Sequence, residues 1–213
     1  MPRLTRKEKQ AHTRTCLMQA AARVFARNGL QHSSIDEVAE DAGFTKGAFY
    51  ANFKNKEELF LAMLDERFSR RLEEIEEVID DEGTATEKAR RAGDDFAEMV
   101  ASDLEWQRLF FEFQAYAARN DDFRQELVTR YRALQNRVAD ALSARFEQYG
   151  VESPLPFDEM AMMMCAMGNG YALEKLLEPE AVSVDLYGRM LMVFFAGMAA
   201  LKKAEAEAQP APA

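Results

Sequence analysis

One short segment, residues 34–56, carries residue types whose spacing suits the reading of a DNA groove. It runs Ser-Ile-Asp-Glu-Val-Ala-Glu-Asp-Ala-Gly-Phe-Thr-Lys-Gly-Ala-Phe-Tyr-Ala-Asn-Phe-Lys-Asn-Lys. This pattern predicts two short helices joined by a turn over residues 42–45. Gly43 permits the tight reversal that a helix-turn-helix requires. The second helix can then lie in the major groove, which is just wide enough for one helix.

The two faces of that second helix differ in chemistry. Val38, Ala39, Phe49 and Phe53 are placed to pack the two helices at a fixed angle. The outward face would consist of Thr45, Lys46, Gly47, Tyr50, Ala51 and Asn52. Those side chains are mostly small, with a single positive charge. The face can therefore approach base edges closely.

The charges of the chain are unevenly distributed. The net charge is −10, which by itself argues against nucleic acid. Residues 1–56, however, hold ten basic and five acidic side chains, a net charge of +5. The remaining residues carry a net charge of −15. A basic head on an acidic body indicates that the head is the part that would meet phosphates.

Residues 10–60 resemble the DNA-binding head of the TetR family of bacterial repressors. The resemblance rests on Gly43-Phe44-Thr45-Lys46-Gly47-Ala48-Phe49-Tyr50-Ala51-Asn52-Phe53-Lys54-Asn55-Lys56, followed by Leu59. Asn52 departs from the family pattern, in which histidine or tyrosine is common at that position. An asparagine there can donate to a phosphate, or read adenine if it faces the groove.

The resemblance implies a role for each matching residue. Ser34, Tyr50 and Lys56 would contact phosphates. Thr45, Lys46 and Gly47 would lie nearest the bases. The basic N-terminal stretch would add backbone or minor-groove contacts through Arg3, Arg6, Lys7 and Lys9. Each lysine or arginine could instead be an ordinary solvated surface charge.

The elements that must position these residues are helices throughout. Apolar residues recur at helical spacing along almost the whole chain, and no segment shows a convincing strand pattern. Capping boxes at Ser34 and Thr84 mark two of the helix starts. We predict an all-α, nine-helix fold: a helix-turn-helix head over residues 1–55 and a larger helical-bundle body over 56–204. The Ala/Pro/Glu-rich tail, 205–213, is expected to be disordered.

The last two predicted helices, 157–178 and 183–204, are suited to pairing with a second copy. Both are apolar on more than one side, so one side needs a cover. The residues assigned to a homodimer interface are Cys165, Gly168, Ala172, Met190, Val193 and Gly197. By resemblance these helices form a four-helix bundle with their copies. Deeper burial within one subunit is the alternative.

The middle of the body contains many aromatic and methionine residues, which together can form an adaptable apolar cavity. The residues assigned to a small, largely apolar ligand are Phe96, Met99, Trp106, Phe110, Phe111, Tyr116, Met164, Met167, Asn169 and Tyr171. Asn and Tyr side chains would orient the ligand. Each of these residues could equally belong to the core.

Several classes of protein are disfavoured. No stretch approaches the roughly 20 apolar residues of a membrane span, and no signal peptide is apparent, so a cytoplasmic protein is expected. Two cysteines and two histidines support neither a disulfide framework nor a metal site, and no cofactor is expected. The leading hypothesis is a ligand-responsive repressor of a palindromic DNA operator. A DNA-binding protein without a small-molecule switch is the alternative. An all-helical enzyme ranks last, because no nucleophile–base pair is visible.

Overall fold

The computed structural model describes residues 5–208, apart from the side chains of residues 205, 206 and 208. This part of the chain forms nine α-helices and no strand, which confirms the all-α prediction. The helices are α1 (Arg6–His32), α2 (Ile35–Asp41), α3 (Lys46–Tyr50), α4 (Lys56–Asp80), α5 (Ala85–Ser102), α6 (Leu104–Ala117), α7 (Asp121–Gln148), α8 (Phe157–Leu177) and α9 (Leu186–Ala208). In the described chain, none of them is long and apolar enough to cross a membrane.

The helix starts follow the local sequence signals. Ser34 and Glu37 form the predicted capping box at α2, and Thr84 and Glu87 form the one at α5. At the start of α4, the Asn55 side chain accepts a hydrogen bond of 2.8 Å from the backbone of Glu58. These side chains satisfy backbone N–H groups that a helix leaves unpaired in its first turn.

Three helix ends differ from the sequence prediction. Gly29 predicts that the first helix ends at Asn28, but the α1 segment continues to His32, with a break at Gly29, whose φ of 72° suits glycine. The sequence predicts a third helix from Lys46 to about Phe53, but α3 ends at Tyr50. Helix α9 continues through Ala208, so residues 205–208 of the predicted tail are helical. The rest of that tail, 209–213, lies outside the described residues, as does Arg3.

The described chain divides into two compact units by its internal contacts. The functional boundary after residue 55 stays a prediction. The first unit contains the stretch up to Phe68 together with Glu105–Arg130. Its core explains why α6 joins the head. Phe60 of α4 stacks on Phe113 of α6 with ring centroids 3.4 Å apart. Phe113 also meets Phe25 of α1 edge to face, at 6.3 Å.

The second unit contains Ser69–Leu104 and the stretch from Tyr131 onward. Helices α5 and α9 pack along each other, and their backbones approach closely where Gly93 faces Gly188. A Cβ atom added at Gly93 would overlap the backbone of Gly188. A separate apolar cluster in this unit is centred on Val138, Leu142 and Met160, which are at most 5% exposed.

Candidate functional site

Helices α2 and α3 are joined by a turn whose backbone is fixed by hydrogen bonds. Gly43 adopts a φ of 73°, a conformation that side chains with a Cβ rarely take. Its N–H donates to the carbonyl of Glu40 at 2.9 Å, and the N–H of Phe44 donates to Ala39 at 2.8 Å. The Thr45 hydroxyl then accepts from the backbone of Ala48 and starts α3. The chain therefore forms the predicted helix-turn-helix.

The buried and exposed faces of α3 also follow the prediction. Val38 and Phe49 are fully buried and Phe53 is 1% exposed, so these side chains hold α3 against its neighbours. The exposed side of the helix carries Thr45, Lys46, Gly47, Tyr50 and Ala51. A Cβ added at Gly47 would meet only the Thr45 hydroxyl, at 3.7 Å. Nothing within the unit therefore requires a glycine at this position.

Lys46, the first residue of α3, forms an ion pair with Asp36 of α2. The distance between Nζ and Oδ2 is 2.9 Å, and both side chains are more than half exposed. The hydrogen bond to Asp36, together with its charge, raises the pKa of Lys46. The lysine is thus held by Asp36 at the start of the exposed face.

Asn52 departs from the expected outward face. The side chain is half-buried, and its amide nitrogen donates to the carbonyl of Ala48 at 2.8 Å. Its backbone carbonyl accepts from the Arg14 guanidinium at 2.9 Å. The asparagine is turned back on α3 because its amide satisfies a carbonyl in the last turn, where helical hydrogen bonding ends.

Two residues predicted to contact phosphate lie close together at the end of α1. The Lys56 ammonium donates to the carbonyls of Leu30 and Ser33, at 2.8 and 2.7 Å. The adjacent Ser34 hydroxyl donates to Glu37 at 2.9 Å. The hydrogen bonds from the backbone and side chain of Ser34 lower the pKa of Glu37, and the Lys56 charge adds a smaller effect. Lys56 therefore also joins α4 to the end of α1.

Two residues that sequence reasoning missed hold the head together. The Arg14 guanidinium stacks on the Phe53 ring, 4.1 Å from its centroid, in addition to its bond to Asn52. Glu112 of α6 accepts from the backbone N–H of Leu30 at 2.8 Å, directly after the Gly29 break. Both contacts join residues far apart in the chain, so no local pattern could indicate them.

The basic N-terminal residues are partly described. Thr5 caps α1 through a capping box with Glu8. Arg6, Lys7 and Lys9 lie in the first turns of that helix, and all three are exposed. They are therefore available at the surface of the head for a charged partner.

The predicted ligand residues fall into both units. In the first unit, Trp106 and Phe110 are each 7% exposed, and Trp106 stacks on Phe60 at 5.5 Å. Phe111 is half-buried and meets Phe110 edge to face at 5.8 Å. The Tyr116 hydroxyl donates to Glu57 and accepts from the Asn120 amide, each at 3.0 Å. Trp106 and Tyr116 therefore both contact α4, through Phe60 and Glu57.

In the second unit, most of the predicted ligand residues are half-buried: Phe96, Met99, Met164, Met167 and Asn169. Tyr171 is 2% exposed. The rings of Phe96, Tyr171 and Tyr187 pack together, with the Phe96 centroid 6.1 Å from that of Tyr171 and 4.6 Å from that of Tyr187. Tyr187 was not among the predicted ligand residues, because it lies outside the segments rich in aromatic and methionine residues from which they were chosen.

A polar groove of about 250 Å³ lies between the end of α4 and α7. Its lining is Glu76, Ile79, Asp80, Arg137, Asp140, Ala141, Ala144, Arg145 and Gln148. None of the predicted ligand residues belongs to it. The groove thus differs in both position and chemistry from the apolar cavity that the sequence suggested.

The residues predicted for a dimer interface do not share one open face. Gly168 and Ala172 are buried within the second unit, because α8 turns them inward. A Cβ at Gly168 would lie 3.3 Å from both Phe96 and Tyr187. Cys165 and Met190 are half-buried. Val193, by contrast, is 72% exposed, and a Cβ added at Gly197 would have no atom within 4 Å.

An apolar face of α8 and α9 is left open within the described chain. On α8 it consists of Met162, Ala166, Gly170, Leu173 and Leu177, all exposed. Their spacing of three or four residues places them on one side of the helix. On α9 the corresponding residues are Val193, Gly197 and Leu201. We call this set of residues the open α8–α9 face.

Family models match both parts of the chain. Residues 17–63 match the bacterial regulatory proteins of the tetR family, and residues 85–200 match the C-terminal part of BetI-type transcriptional repressors. The chain therefore belongs to the TetR family of DNA-binding transcriptional regulators, which is the family that the helix-turn-helix motif indicated.

Individual relatives match parts of the chain. The fatty acid metabolism regulator protein of Bacillus subtilis is 36% identical over 72 residues, which is 34% of this chain and 37% of that protein. The regulator TtgR of Pseudomonas putida is 43% identical over 65 residues, 30% of each chain. This chain thus spans about a third of the length of these relatives.

Solved structures share the fold over most of the chain. FadR from Bacillus subtilis, in complex with stearoyl-CoA, matches with a TM-score of 0.70 at 20% identity, covering 84% of this chain and 95% of that one. GusR from Salmonella enterica matches with a TM-score of 0.75 at 19% identity, covering 92% and 98%. At these identities, the similarity establishes the fold alone.

Proposed function

We propose that this regulator is a repressor that binds a palindromic operator as a homodimer and releases it when a small, largely apolar ligand binds the body. The observation that carries the proposal is the exposed face of α3. Its side chains are mostly small or polar, and the buried side of the helix-turn-helix fixes the position of the helix. Such a face can enter the major groove, and the phosphates on either side favour a basic head.

On the DNA, the residues divide into two roles. Thr45, Lys46 and Gly47 lie nearest the bases, where the lysine can reach guanine acceptors. Tyr50, Ser34 and Lys56 contact phosphates. The Lys56 ammonium donates two of its three N–H groups to carbonyls at the end of α1. The third N–H can donate to a phosphate, so Lys56 would link the end of α1 to the DNA backbone.

The open α8–α9 face supports the homodimer. A helix-turn-helix alone reads few base pairs, and a two-fold dimer doubles the site. The residues of this face on both helices are exposed, including Val193, Gly197 and Leu201 of α9, so a second copy can cover them. Cys165 and Met190 would lie at the edge of that contact. Gly168 and Ala172 would support it from within.

The ligand part rests on the half-buried aromatic and methionine residues of the body and on a structural relative. FadR, which has this fold, has been solved with stearoyl-CoA. A fold of this kind can therefore hold a molecule that carries a long apolar chain. We extend this capacity to the present chain, whose Phe96, Met164 and Met167 side chains are half-buried.

The test is selection of bound duplexes from a random-sequence library by the purified protein, followed by binding titrations. We expect an inverted repeat whose half-sites are about 34–36 Å apart, or a multiple of that distance. Lys56→Ala should weaken binding to the repeat and to a scrambled duplex alike, and lower the salt slope by about one per subunit. Enrichment of no repeat would contradict the proposal.

A further inference from the structure

An aromatic cluster in the second unit contains two buried tyrosines, and only one of their hydroxyl groups has a hydrogen-bond partner among the described residues. Phe96, Tyr171 and Tyr187 lie with ring centroids 4.6 to 6.1 Å apart, and both tyrosines are less than 7% exposed. The Tyr187 hydroxyl donates to the carbonyl of Met164 at 3.1 Å. The buried Tyr171 hydroxyl has no hydrogen-bond partner among the described residues. A buried hydroxyl of this kind is costly unless another group accepts its hydrogen bond.

The Tyr171 hydroxyl is held in its donor form. Burial raises the pKa of Tyr171, and the nearby negative charge of Asp185 raises it further. The phenol therefore stays protonated at physiological pH. It needs an acceptor, such as a carbonyl, carboxylate or sulfonate oxygen.

A positive charge stands beside the same cluster. The Arg71 guanidinium lies 5.0 Å from the centroid of the Phe96 ring, and the side chain is 13% exposed. Arg71 donates to the carbonyl of Ala92 at 3.3 Å and pairs with Glu74 at 3.1 Å. Burial raises the pKa of Cys165 to about 11, and the Arg71 charge opposes that change. Burial likewise raises the pKa of Tyr187, and the Arg71 charge opposes that rise, so its positive charge acts on a member of the cluster.

We propose that the cluster of Phe96, Tyr171 and Tyr187, with Arg71, is the polar end of the ligand site and selects an aromatic anion. This inference rests on the proposed ligand response and narrows the ligand from an apolar molecule to one with an acidic group. The ring of the ligand packs on Phe96. Its acidic oxygen accepts from the Tyr171 hydroxyl and faces the Arg71 guanidinium in place of Glu74.

The test compares two fluorescent probes that differ chiefly in charge. These are 1-anilinonaphthalene-8-sulfonate, an aromatic anion, and N-phenyl-1-naphthylamine, its neutral counterpart. Arg71→Gln should weaken binding of the sulfonate by about tenfold or more and change binding of the amine less than twofold, since a charged hydrogen bond is lost. Arg71→Lys should recover part of the affinity. Arg137→Gln, which removes an exposed arginine paired with Glu76 in the same unit, should change neither probe.

Tyr171→Phe separates ligand binding from folding. We expect the thermal midpoint to stay the same or rise, because an unpaired buried hydroxyl is removed, while sulfonate affinity falls several-fold. Tyr187→Phe should instead lower the thermal midpoint, because it removes a satisfied hydrogen bond. Unchanged sulfonate affinity in both Tyr171→Phe and Arg71→Gln would overturn the proposal. So would equal losses for the two probes.

Operator binding by Tyr171→Phe, measured without any probe, separates this inference from the proposed function. Normal operator binding with reduced sulfonate affinity supports the ligand site. Sulfonate binding that depends on Tyr171 and Arg71 but does not release the operator also supports the site, and it contradicts ligand release. Intact operator binding with unchanged probe binding overturns the site and leaves the DNA-binding proposal standing.

Discussion

At the scale of single residues, Lys46 occupies the position from which base discrimination should come. It begins α3 at the exposed face, and within the head it pairs with Asp36. An exposed ion pair of this kind contributes little to stability. The lysine can therefore exchange Asp36 for a guanine acceptor at little cost, and Asp36 then acts as a competing partner.

We predict that Lys46→Ala costs roughly 1–3 kcal/mol of binding free energy on the operator and less on a scrambled duplex, because a base contact is lost. Asp36→Asn should tighten binding to both duplexes, since it releases the lysine and removes a charge that repels phosphate. Titrations of both variants on both duplexes, at several salt concentrations, measure these effects. Equal losses for Lys46→Ala on the two duplexes would remove it from the base-reading role.

At the scale of helices, the crossing of α5 and α9 depends on two glycines. A Cβ at Gly93 would overlap the Gly188 backbone, which cannot move aside as a flexible side chain could. We predict that Gly93→Ala lowers the free energy of unfolding by about 1–3 kcal/mol or more, as overpacking does. Urea denaturation provides the measurement.

Gly47→Ala is the matched control for this substitution. Gly47 is also helical, but its added Cβ would meet one atom at an ordinary distance of 3.7 Å. Alanine there should stabilise the fold by up to about 1 kcal/mol, because alanine is the better helix former. If both substitutions changed stability alike, the close approach of α5 and α9 would not be the cause.

The capping box at the start of α5 makes helix stability depend on pH. Hydrogen bonds from the backbone and side chain of Thr84 lower the pKa of Glu87 in the folded protein. A carboxylate with a lowered folded-state pKa stabilises the fold above its unfolded pKa, and this contribution is lost as pH falls through the folded value.

We therefore expect Glu87→Gln to be less stable than the unmodified protein at neutral pH, with the difference shrinking as the pH falls below about 4.3, the ordinary glutamate value. Urea denaturation at a series of pH values tests this. Glu98→Gln is the control, because Glu98 is an exposed carboxylate on the same helix outside the cap. A difference that stayed constant with pH would exclude the capping carboxylate as its source.

At the scale of the whole molecule, assembly should depend on the open α8–α9 face. Gly197 lies on that face and Gly168 lies inside the second unit. We predict that Gly197→Arg keeps the helical content and converts the dimer to a monomer, because the new charge would be buried between the copies. Light scattering and circular dichroism measure the two quantities.

Gly168→Arg should behave differently. Its side chain would collide with Phe96 and Tyr187, so the expected result is loss of folding stability rather than clean dissociation. A stable wild-type monomer at micromolar concentration would refute the dimer. A folded, dimeric Gly197→Arg protein would move the interface away from the open α8–α9 face.

The sequence by itself determined the features that depend on neighbours along the chain. The Ser34 and Thr84 capping boxes, the turn at Gly43 and the exposed face of α3 all follow from residues within a few positions of one another. Local hydrogen bonding and helical spacing fix such features, so they can be read from the sequence order. The helix-turn-helix and the family to which the chain belongs could be predicted from the sequence for the same reason.

Only the tertiary structure decided the contacts between distant segments. Arg14 meets Phe53, Glu112 meets Leu30, and Gly93 meets Gly188, each across many intervening residues. The inward turn of Gly168 and the unpaired hydroxyl of Tyr171 likewise depend on which helices pack around α8. An apolar stripe shows that a helix face is covered, but periodicity alone does not say which helix covers it. That choice depends on how all the helices pack together.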